Sequence, residues 1–161
     1  MKIQHLKRLQ INRQSGISLL EVLISIVVLT VGLLGTAHMQ TTGLVNNQRA
    51  YQRSQATLLA YDIADRMRAN LSSIGSYLTS HMALKDATAQ ADCKSTISCT
   101  SAKMAENDLY EWKTALATDL RGVNGLITLT GDTYMISVAW DDNNDGVTDG
   151  DDPNFQVSFR L

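Results

Sequence analysis

The chain has 161 residues, of which 14 are Lys or Arg and 16 are Asp or Glu, so its formal net charge is −2. This length suits one domain together with a short additional segment such as an anchor. The charge balance argues against a main role in binding nucleic acid, because that role needs clustered Lys and Arg to replace the counterions of the phosphates.

The first 16 residues are predicted to form a short leader that stays in the cytoplasm. Positive charge beside an apolar span keeps that end of a membrane protein inside. The leader contains no acidic residue and four basic ones, Lys2, Lys7, Arg8 and Arg13. Its removal would leave 10 basic and 16 acidic residues, a net charge of −6. The remaining chain would therefore be clearly acidic.

An apolar run follows at once and is predicted to cross a membrane. Residues 17–37 carry a single charge, that of Glu21. A helix of this length spans about 31 Å, which is enough for the apolar core of a bilayer. We therefore predict a transmembrane helix in this segment, with the rest of the chain on the outer side.

Glu21 is the residue of this run that needs an explanation. An unpaired carboxylate in hydrocarbon is costly, so it suggests a function and a partner. A cationic amine would be suitable, and cleavage after Gly16 would create one at Ile17; a neighbouring copy could also present its own. The alternative interpretation is an ordinary membrane anchor with an accidental glutamate.

Residues 38–70 become more polar but keep the spacing of a helix and contain no proline. Two pairs of opposite charge have the spacing of neighbours on a helix surface: Asp62 with Arg66, and Asp65 with Arg68. Seven apolar residues can share one stripe: Leu44, Ala56, Leu59, Ala60, Ile63, Ala64 and Met67. We predict one helix from about Ile17 to about Asn70, whose second half packs against a small globular head.

The head comprises residues 71–161. Its first half is predicted to contain one further long helix. Leu71–Ala91 is rich in Ser, Thr and Ala, so we expect irregular structure with one short helix. Ala105–Arg121 has helical spacing, with Asn107 or Asp108 as N-cap and Gly122 as the stop. Its apolar residues fall on one face, which we expect to join the core: Leu109, Trp112, Leu116 and Leu120.

The second half of the head changes to a period of two residues, which predicts β-strands. Three strands are expected at 126–130, 134–140 and 155–161. Gly131 and Asp132 between the first two indicate a hairpin turn. A long helix followed by a small antiparallel sheet defines an α+β fold, in which the helix must cover one face of the sheet.

The two cysteines, Cys93 and Cys99, are separated by five residues and follow the predicted anchor. In an exported domain such a pair favours a local disulfide. Closing this short loop would contribute about 2 kcal/mol or somewhat more. A metal site is the alternative, but it needs two more ligands, and His81 is the only histidine nearby.

Residues 141–152 contain six Asp residues and have the spacing of a calcium-binding loop. The ligands at positions 1, 3, 5, 7 and 12 would be Asp141, Asn143, Asp145, the backbone carbonyl of Val147, and Asp152. The last of these stands where the pattern prefers glutamate, and the flanking segments are predicted strands instead of helices. The alternative is a solvated acidic hairpin loop. Calcium is the one cofactor that the sequence suggests, and none is required.

The sequence does not predict an enzyme or any catalytic residue. It lacks a glycine-rich phosphate loop, a nucleophile elbow and a zinc-protease motif. The three histidines, His5, His38 and His81, are widely separated. Assembly explains Glu21 better than catalysis does.

The junction Gly16-Ile17-Ser18-Leu19-Leu20-Glu21 resembles the class III signal of type IV pilins and pseudopilins. The one departure is Ile17, where that family usually has phenylalanine. The resemblance implies that a prepilin peptidase cleaves after Gly16 and methylates the new amine of Ile17. It also implies the pilin architecture, and a role for Glu21 in assembly.

A second stretch, residues 58–70, resembles the PilV group of minor pilins, also called type IV pilus modification proteins. Residues 31–35, the cysteine pair ahead of the helix with Leu109 and Trp112, and the strand ending at Trp140 are similar to that group too. This resemblance implies a low-abundance pilus subunit of a Gram-negative bacterium.

Such a subunit would sit in the inner membrane with a periplasmic head, and would then join the extracellular pilus. Its expected partners are other minor pilins, the major pilin, the prepilin peptidase and a tip adhesin, with no nucleic acid. It would prime pilus assembly and enter the pilus at or near the tip. Two alternatives are a minor pseudopilin of type II secretion and a calcium-dependent adhesive or ligand-binding module at the tip.

Overall fold

The structure is a computed structural model that describes residues 16–79, 84–94 and 98–161. Residues 1–15 of the predicted leader, as well as His81, lie outside the described residues. The chain divides into two compact units between Leu44 and Val45.

Helix α1 runs from Leu19 to Ala69, which confirms the prediction of one helix from about Ile17 to about Asn70. Its N-cap is Ser18, whose Oγ accepts a hydrogen bond from the backbone N–H of Glu21 at 3.3 Å. The carbonyl of Ser18 accepts from the N–H groups of Glu21 and Val22. A Ser side chain in this role satisfies a donor that the first turn of a helix leaves free.

In the first unit, α1 is long and apolar enough to cross a membrane, judged by its length and composition. Its hydroxyl groups are satisfied within the helix. The Ser25 hydroxyl donates to the carbonyl of Glu21 at 2.7 Å, and that of Thr36 donates to the carbonyl of Leu33 at 2.9 Å. The Thr30 hydroxyl donates to a carbonyl one turn earlier in the same way. These internal bonds lower the cost of placing hydroxyls in hydrocarbon.

In the second unit, one stripe of α1 forms a wall of the core. Its buried residues are Gln52, Ala56, Ala60, Ile63, Ala64 and Met67, so most of the predicted stripe is confirmed. Leu59 is only half-buried. The prediction was wrong for Leu44, which is 71% exposed. Leu44 belongs to the first unit, all of whose described side chains are exposed.

Helix α2 spans Ser101–Asp119 and starts four residues before the prediction. Its N-cap is Thr100, whose Oγ1 accepts from the N–H of Lys103 at 3.3 Å. The prediction of Asn107 or Asp108 as N-cap was therefore wrong; both residues lie inside α2 and are buried. The predicted apolar face is confirmed, since four residues join the core: Leu109, Trp112, Leu116 and Leu120.

Between the two helices, the described residues form three short 3₁₀ helices. Two of them lie within Leu71–Ala91, where one short helix was predicted, and the third begins at Ala91. These span Leu71–Tyr77, Leu84–Asp86 and Ala91–Lys94. The first returns the chain from the end of α1 towards α2, and its Tyr77 is fully buried.

The sheet contains three antiparallel strands in the order β1-β2-β3: β1 is Asn124–Thr130, β2 is Thr133–Ala139 and β3 is Asn154–Arg160. Each boundary lies within two residues of its prediction. The hairpin turn at Gly131 and Asp132 is confirmed, and Gly131 has a φ of +59°. The head is therefore an α+β fold, in which the α1 stripe, α2 and the sheet share one core.

Two tryptophans in this core differ in their hydrogen bonding. Trp112 is 1% exposed and its Nε1 donates to the carbonyl of Leu59 at 3.0 Å. Trp140 is 2% exposed, and its Nε1 has no hydrogen-bond partner in the described part of the chain. Trp112 thus links α2 to α1 by a polar bond as well as by packing, whereas Trp140 contributes packing alone.

This difference predicts unequal effects of the same substitution. Trp112→Phe and Trp140→Phe remove similar volume, but only Trp112→Phe also removes a satisfied hydrogen bond. We expect Trp112→Phe to lower the free energy of unfolding by about 1 kcal/mol more than Trp140→Phe, since a net hydrogen bond is worth roughly that amount. Urea unfolding of the detergent-extracted protein measures both. Equal losses would contradict the assigned role of the Leu59 contact.

Candidate functional site

The predicted cleavage junction lies directly before α1. Gly16 and Ile17 have no regular secondary structure and are exposed. A Cβ added to Gly16 would meet no described atom within 4 Å, so space within the described chain does not explain the glycine. The peptide bond between these residues is accessible, as a processing site must be. Cleavage there and methylation of Ile17 stay predictions.

Glu21 lies in the first turn of α1, three residues after the N-cap Ser18. This spacing is that of a capping box, a signal that the sequence interpretation missed. The structure contains the half of the box in which Ser18 accepts from the Glu21 N–H. The positive end of the helix dipole also favours a carboxylate at this position. The identity of a cationic partner for Glu21 stays a prediction.

Cys93 and Cys99 form a disulfide, with Cα atoms 4.7 Å apart, which confirms the predicted bond. Both cysteines of the sequence lie in this bond, so neither presents a free thiolate to a metal in this structure. Cys99 directly precedes Thr100, the N-cap of α2. The disulfide therefore ties the start of α2 to the 3₁₀ helix Ala91–Lys94.

Arg66 connects α1 to α2 by a network that the sequence did not predict. Its Nε contacts Asp62 at 3.0 Å, and its Nη1 contacts the Asp108 carboxylate at 2.9 Å and the Glu111 carboxylate at 2.7 Å. The Tyr77 hydroxyl donates to the other oxygen of Asp108 at 2.5 Å. The predicted pair of Asp62 and Arg66 is confirmed, but Arg66 is more than part of a surface ion pair.

The ionisation of this network follows from its contacts. Burial alone would lower the pKa of Arg66, but hydrogen bonds to Glu111 and Asp108 outweigh it and hold that pKa above its ordinary value. Burial, helped by the hydrogen bond to Asp108, raises the pKa of Tyr77. The hydrogen bond from Arg66 lowers the pKa of Glu111. Arg66 therefore stays charged and Tyr77 stays neutral at physiological pH.

A signal for this network was present in the sequence. Asp108 lies one turn before Trp112 on the same face of α2, where a core residue is expected. An acid at a core position requires partners, because a buried charge is costly unless it is paired.

The lowered pKa of Glu111 predicts a pH dependence of stability. Its stabilising effect is present above the ordinary glutamate pKa of about 4.3 and is lost as pH falls through the lower folded value. We expect Glu111→Gln to be less stable than the unmodified protein at pH 7, by less than about 1 kcal/mol because the pair is half-exposed. This difference should shrink as the pH falls below about 4.3.

Urea unfolding of the detergent-extracted protein between pH 3 and 7 measures the effect. Asp119→Asn is the matched control, because Asp119 lies at the end of α2 and forms no ion pair with any described residue. A difference between Glu111→Gln and the unmodified protein that stays constant with pH would contradict the assigned contact.

The acidic loop at residues 141–152 folds around its own carboxylates. The oxygens of the buried Asp141 accept from the N–H groups of Asn144, at 2.5 Å, and Gly146, at 3.0 Å. Those of Asp152 accept from the N–H groups of Asp142, at 3.1 Å, and Asp149, at 3.0 Å. Both side chains therefore cap turns of the loop backbone.

The remaining calcium candidates form similar contacts. Asp145 accepts from the Val147 N–H at 2.9 Å and from the Asn143 side-chain amide at 3.0 Å. No cluster of three or more His, Cys, Asp or Glu side chains that could hold a metal occurs within residues 16–79, 84–94 and 98–161. Turn formation gives these Asp and Asn residues a role without a cation. Calcium binding stays a prediction.

The loop is also held to the rest of the head. Asp142 pairs with Arg49 of α1 at 2.9 Å, and Asn144 accepts from Arg121 at 2.8 Å. Gly122 has a φ of +52°, and a Cβ there would lie 2.8 Å from the Cβ of Asp141. The close approach at Gly122 therefore requires glycine.

The calcium prediction can be decided by thermal unfolding of the detergent-extracted protein in calcium and in chelator. A bound ion stabilises by about 2.7 kcal/mol at a hundredfold excess over its dissociation constant. If the loop binds calcium as its spacing predicts, Asp145→Ala removes the difference. Asp132→Ala, which changes the charge equally but lies in the hairpin turn, preserves it. An unchanged melting temperature in millimolar calcium supports the acidic hairpin instead.

These elements together define a class of protein: a subunit with one apolar N-terminal helix that continues into a small α+β head. Residues 11–37 match the prokaryotic N-terminal methylation motif, and residues 38–110 match a family described as type IV pilin Tt1218. The two matched segments are adjacent, since the methylation motif ends at residue 37 and the pilin family begins at residue 38. The chain is a type IV pilin-like protein. No curated protein and no solved structure matches it.

The family assignment fits the predicted class of structural subunit. Pilins are structural proteins that assemble with other pilins and the pilus machinery. The methylation motif and the apolar part of α1 fit a pilin anchored in the inner membrane. The PilV subgroup stays a prediction.

Proposed function

We propose that this chain is a minor pilin of the PilV group, which primes assembly of the type IV pilus in the inner membrane and enters the pilus at or near its tip. The observation that carries the assembly role in this proposal is the position of Glu21. It lies in the exposed, apolar first turn of α1, directly after a junction that matches the N-terminal methylation motif.

The chemistry of Glu21 explains how such a subunit enters an assembly. Cleavage after Gly16 leaves an amine at Ile17, and methylation keeps that amine cationic. In an apolar filament core, the Glu21 carboxylate of an incoming subunit pairs with the amine of a neighbour. An unpaired buried charge costs about 3–5 kcal/mol, so correct pairing selects the register of incorporation.

Two features support a head that works outside the cytoplasm. The Cys93–Cys99 disulfide suits an oxidising compartment such as the periplasm. The basic residues of the leader favour a cytoplasmic N-terminus, which places residues beyond the anchor on the other side. The partners are then other minor pilins, the major pilin, the prepilin peptidase and a tip adhesin.

Assignment to the PilV group rests on the resemblance of residues 58–70. Arg66 in this stretch is engaged with α2, so it serves the fold of the head. Arg68 pairs with Asp65 at 2.7 Å and lies over the ring of Phe159. Residues 58–70 therefore help to position the head on α1. The proteins that co-purify with this chain distinguish a type IV pilus from a type II secretion system.

Glu21→Ala tests the proposal. We expect the variant to be inserted and cleaved normally, with N-methyl-isoleucine at position 17, but to be absent from sheared pili and unable to restore piliation. Mass spectrometry of the mature N-terminus and immunoblots of sheared pili measure the two steps. Ser25→Ala, one turn further along α1, is the matched control and should be incorporated.

Full complementation by Glu21→Ala would overturn the assembly role. An intact leader in cells with an active prepilin peptidase would overturn the cleavage. Co-purification of type II secretion components in place of pilins would favour the pseudopilin alternative.

A further inference from the structure

The two edges of the sheet differ in how they are protected. At the outer edge of β1, the Thr79 N–H donates to the carbonyl of Ile127 at 3.1 Å. The N–H of Ile127 in turn contacts the Thr79 hydroxyl at 3.1 Å. Thr79 thus closes the middle of this edge.

The outer edge of β3 has no such cover within the described residues. The hydrogen bond from the Trp140 N–H to the Pro153 carbonyl shows which residues of β3 direct their backbone groups towards β2. Because antiparallel residues alternate in their bonding, every second residue from Asn154 onward directs its N–H and C=O away from β2. These are Asn154, Gln156, Ser158 and Arg160, whose backbone groups form no hydrogen bond with any described residue. No proline or bulge interrupts β3, although such devices commonly protect an edge.

Tyr61 of α1 lies beside the start of this open edge. Phe155 of β3 contacts Tyr61, with ring centroids 6.4 Å apart, and Phe159 of β3 lies under Arg68. Strand β3 therefore follows α1 from Tyr61 to Arg68. Tyr61 is 49% exposed, and Leu58, one turn earlier, is 63% exposed. The contact with Phe155 therefore leaves about half of the Tyr61 surface uncovered.

The open edge also has a charge polarity. Its start adjoins the acidic loop, where Asp149, Asp151 and Asp152 form no ion pair with any described residue. Its far end carries Arg160, which also has no carboxylate partner in the described part of the chain. A segment bound along β3 is therefore complementary when its basic end lies near the loop and its acidic end lies near Arg160.

We propose that β3 receives a fourth strand donated by another subunit of the assembly. The donated segment is extended, with an apolar residue over Tyr61, a basic residue beside the acidic loop and an acidic residue beside Arg160. Main-chain hydrogen bonds to the open edge supply affinity, and the alternating side chains supply specificity. This proposal rests on the proposed function, because it takes the donor to be a pilin partner.

The geometry favours a different subunit over a second copy of this chain. A second copy would offer its own β3, and antiparallel pairing of two identical edges runs α1 of the two copies in opposite directions. Subunits that enter one assembly from one membrane have α1 in the same direction, so self-pairing does not suit the assembly.

Hydrogen exchange on the full-length protein tests the proposal directly. In detergent alone, the outward amides of Gln156, Ser158 and Arg160 should exchange rapidly. In the complex with co-purified pilins, these amides should slow by about tenfold or more, because strand addition encloses them in hydrogen bonds. The amides of Gly125 and Leu129, on the β1 edge, should not change.

A pair of variants provides an independent test. Gln156→Pro removes one outward N–H and leaves the ladder to β2 intact, since proline is tolerated at an outward edge position. Gln156→Ala keeps the N–H and is the matched control. We expect Gln156→Pro to reduce pilin co-purification by about tenfold, the effect of roughly 1.4 kcal/mol, and Gln156→Ala to retain it.

The outcomes separate this proposal from the proposed function. Pilins that co-purify while the Gln156, Ser158 and Arg160 amides still exchange rapidly would overturn the donated strand and leave the minor-pilin role intact. Absence of any pilin partner would overturn both. A homodimer with protected β3 amides would replace the donor by a second copy. The exchange result decides the matter even if Gln156→Pro lowers the melting temperature.

Discussion

The head depends on burial of one stripe of α1, from Gln52 to Met67, between α2 and the sheet. Three strands and one amphipathic helix cannot bury their apolar faces against each other alone, and the stripe supplies the missing surface. The small residues Ala56, Ala60 and Ala64 allow close approach at its centre, and Arg66 beside the stripe fixes the position of α2 through Asp108 and Glu111. Packing and charge pairing thus specify the same arrangement.

Much of the fold could be predicted because its signals are local. A period of 3.6 residues without proline defined α1, and a period of two with Gly131-Asp132 defined the hairpin. Features that depend on distant contacts were missed. The start of α2 at Thr100 was missed, because Asn107 and Asp108 are also good N-cap residues and only their burial inside α2 excludes them. The predicted burial of Leu44 was wrong for the same reason. Helical spacing shows which residues share a face of the helix, but it does not show what packs against that face.

The candidate site also has parts that the sequence alone revealed and parts that it did not. The junction of Gly16, Ile17 and Glu21 is defined by adjacent residues and was visible in the sequence. The acidic loop was ambiguous, because oxygen atoms spaced for a cation are also spaced to accept backbone N–H groups of tight turns. Asp141 and Asp152 each accept two such groups. The sequence identifies the oxygen atoms of the loop but not the direction in which they point. That direction depends on contacts such as the close approach of Gly122 to Asp141.

The hydroxyls along the apolar part of α1 have a consequence for movement between environments. Ser25 and Thr36 direct their protons to carbonyls of their own helix, so neither requires a partner from lipid, water or another protein. The segment therefore keeps the same internal hydrogen bonds whether it lies among acyl chains or among other helices. Its transfer from one to the other changes mainly its van der Waals contacts and the surroundings of one carboxylate. In the proposed assembly, the surroundings of Glu21 therefore change more than those of Ser25 or Thr36.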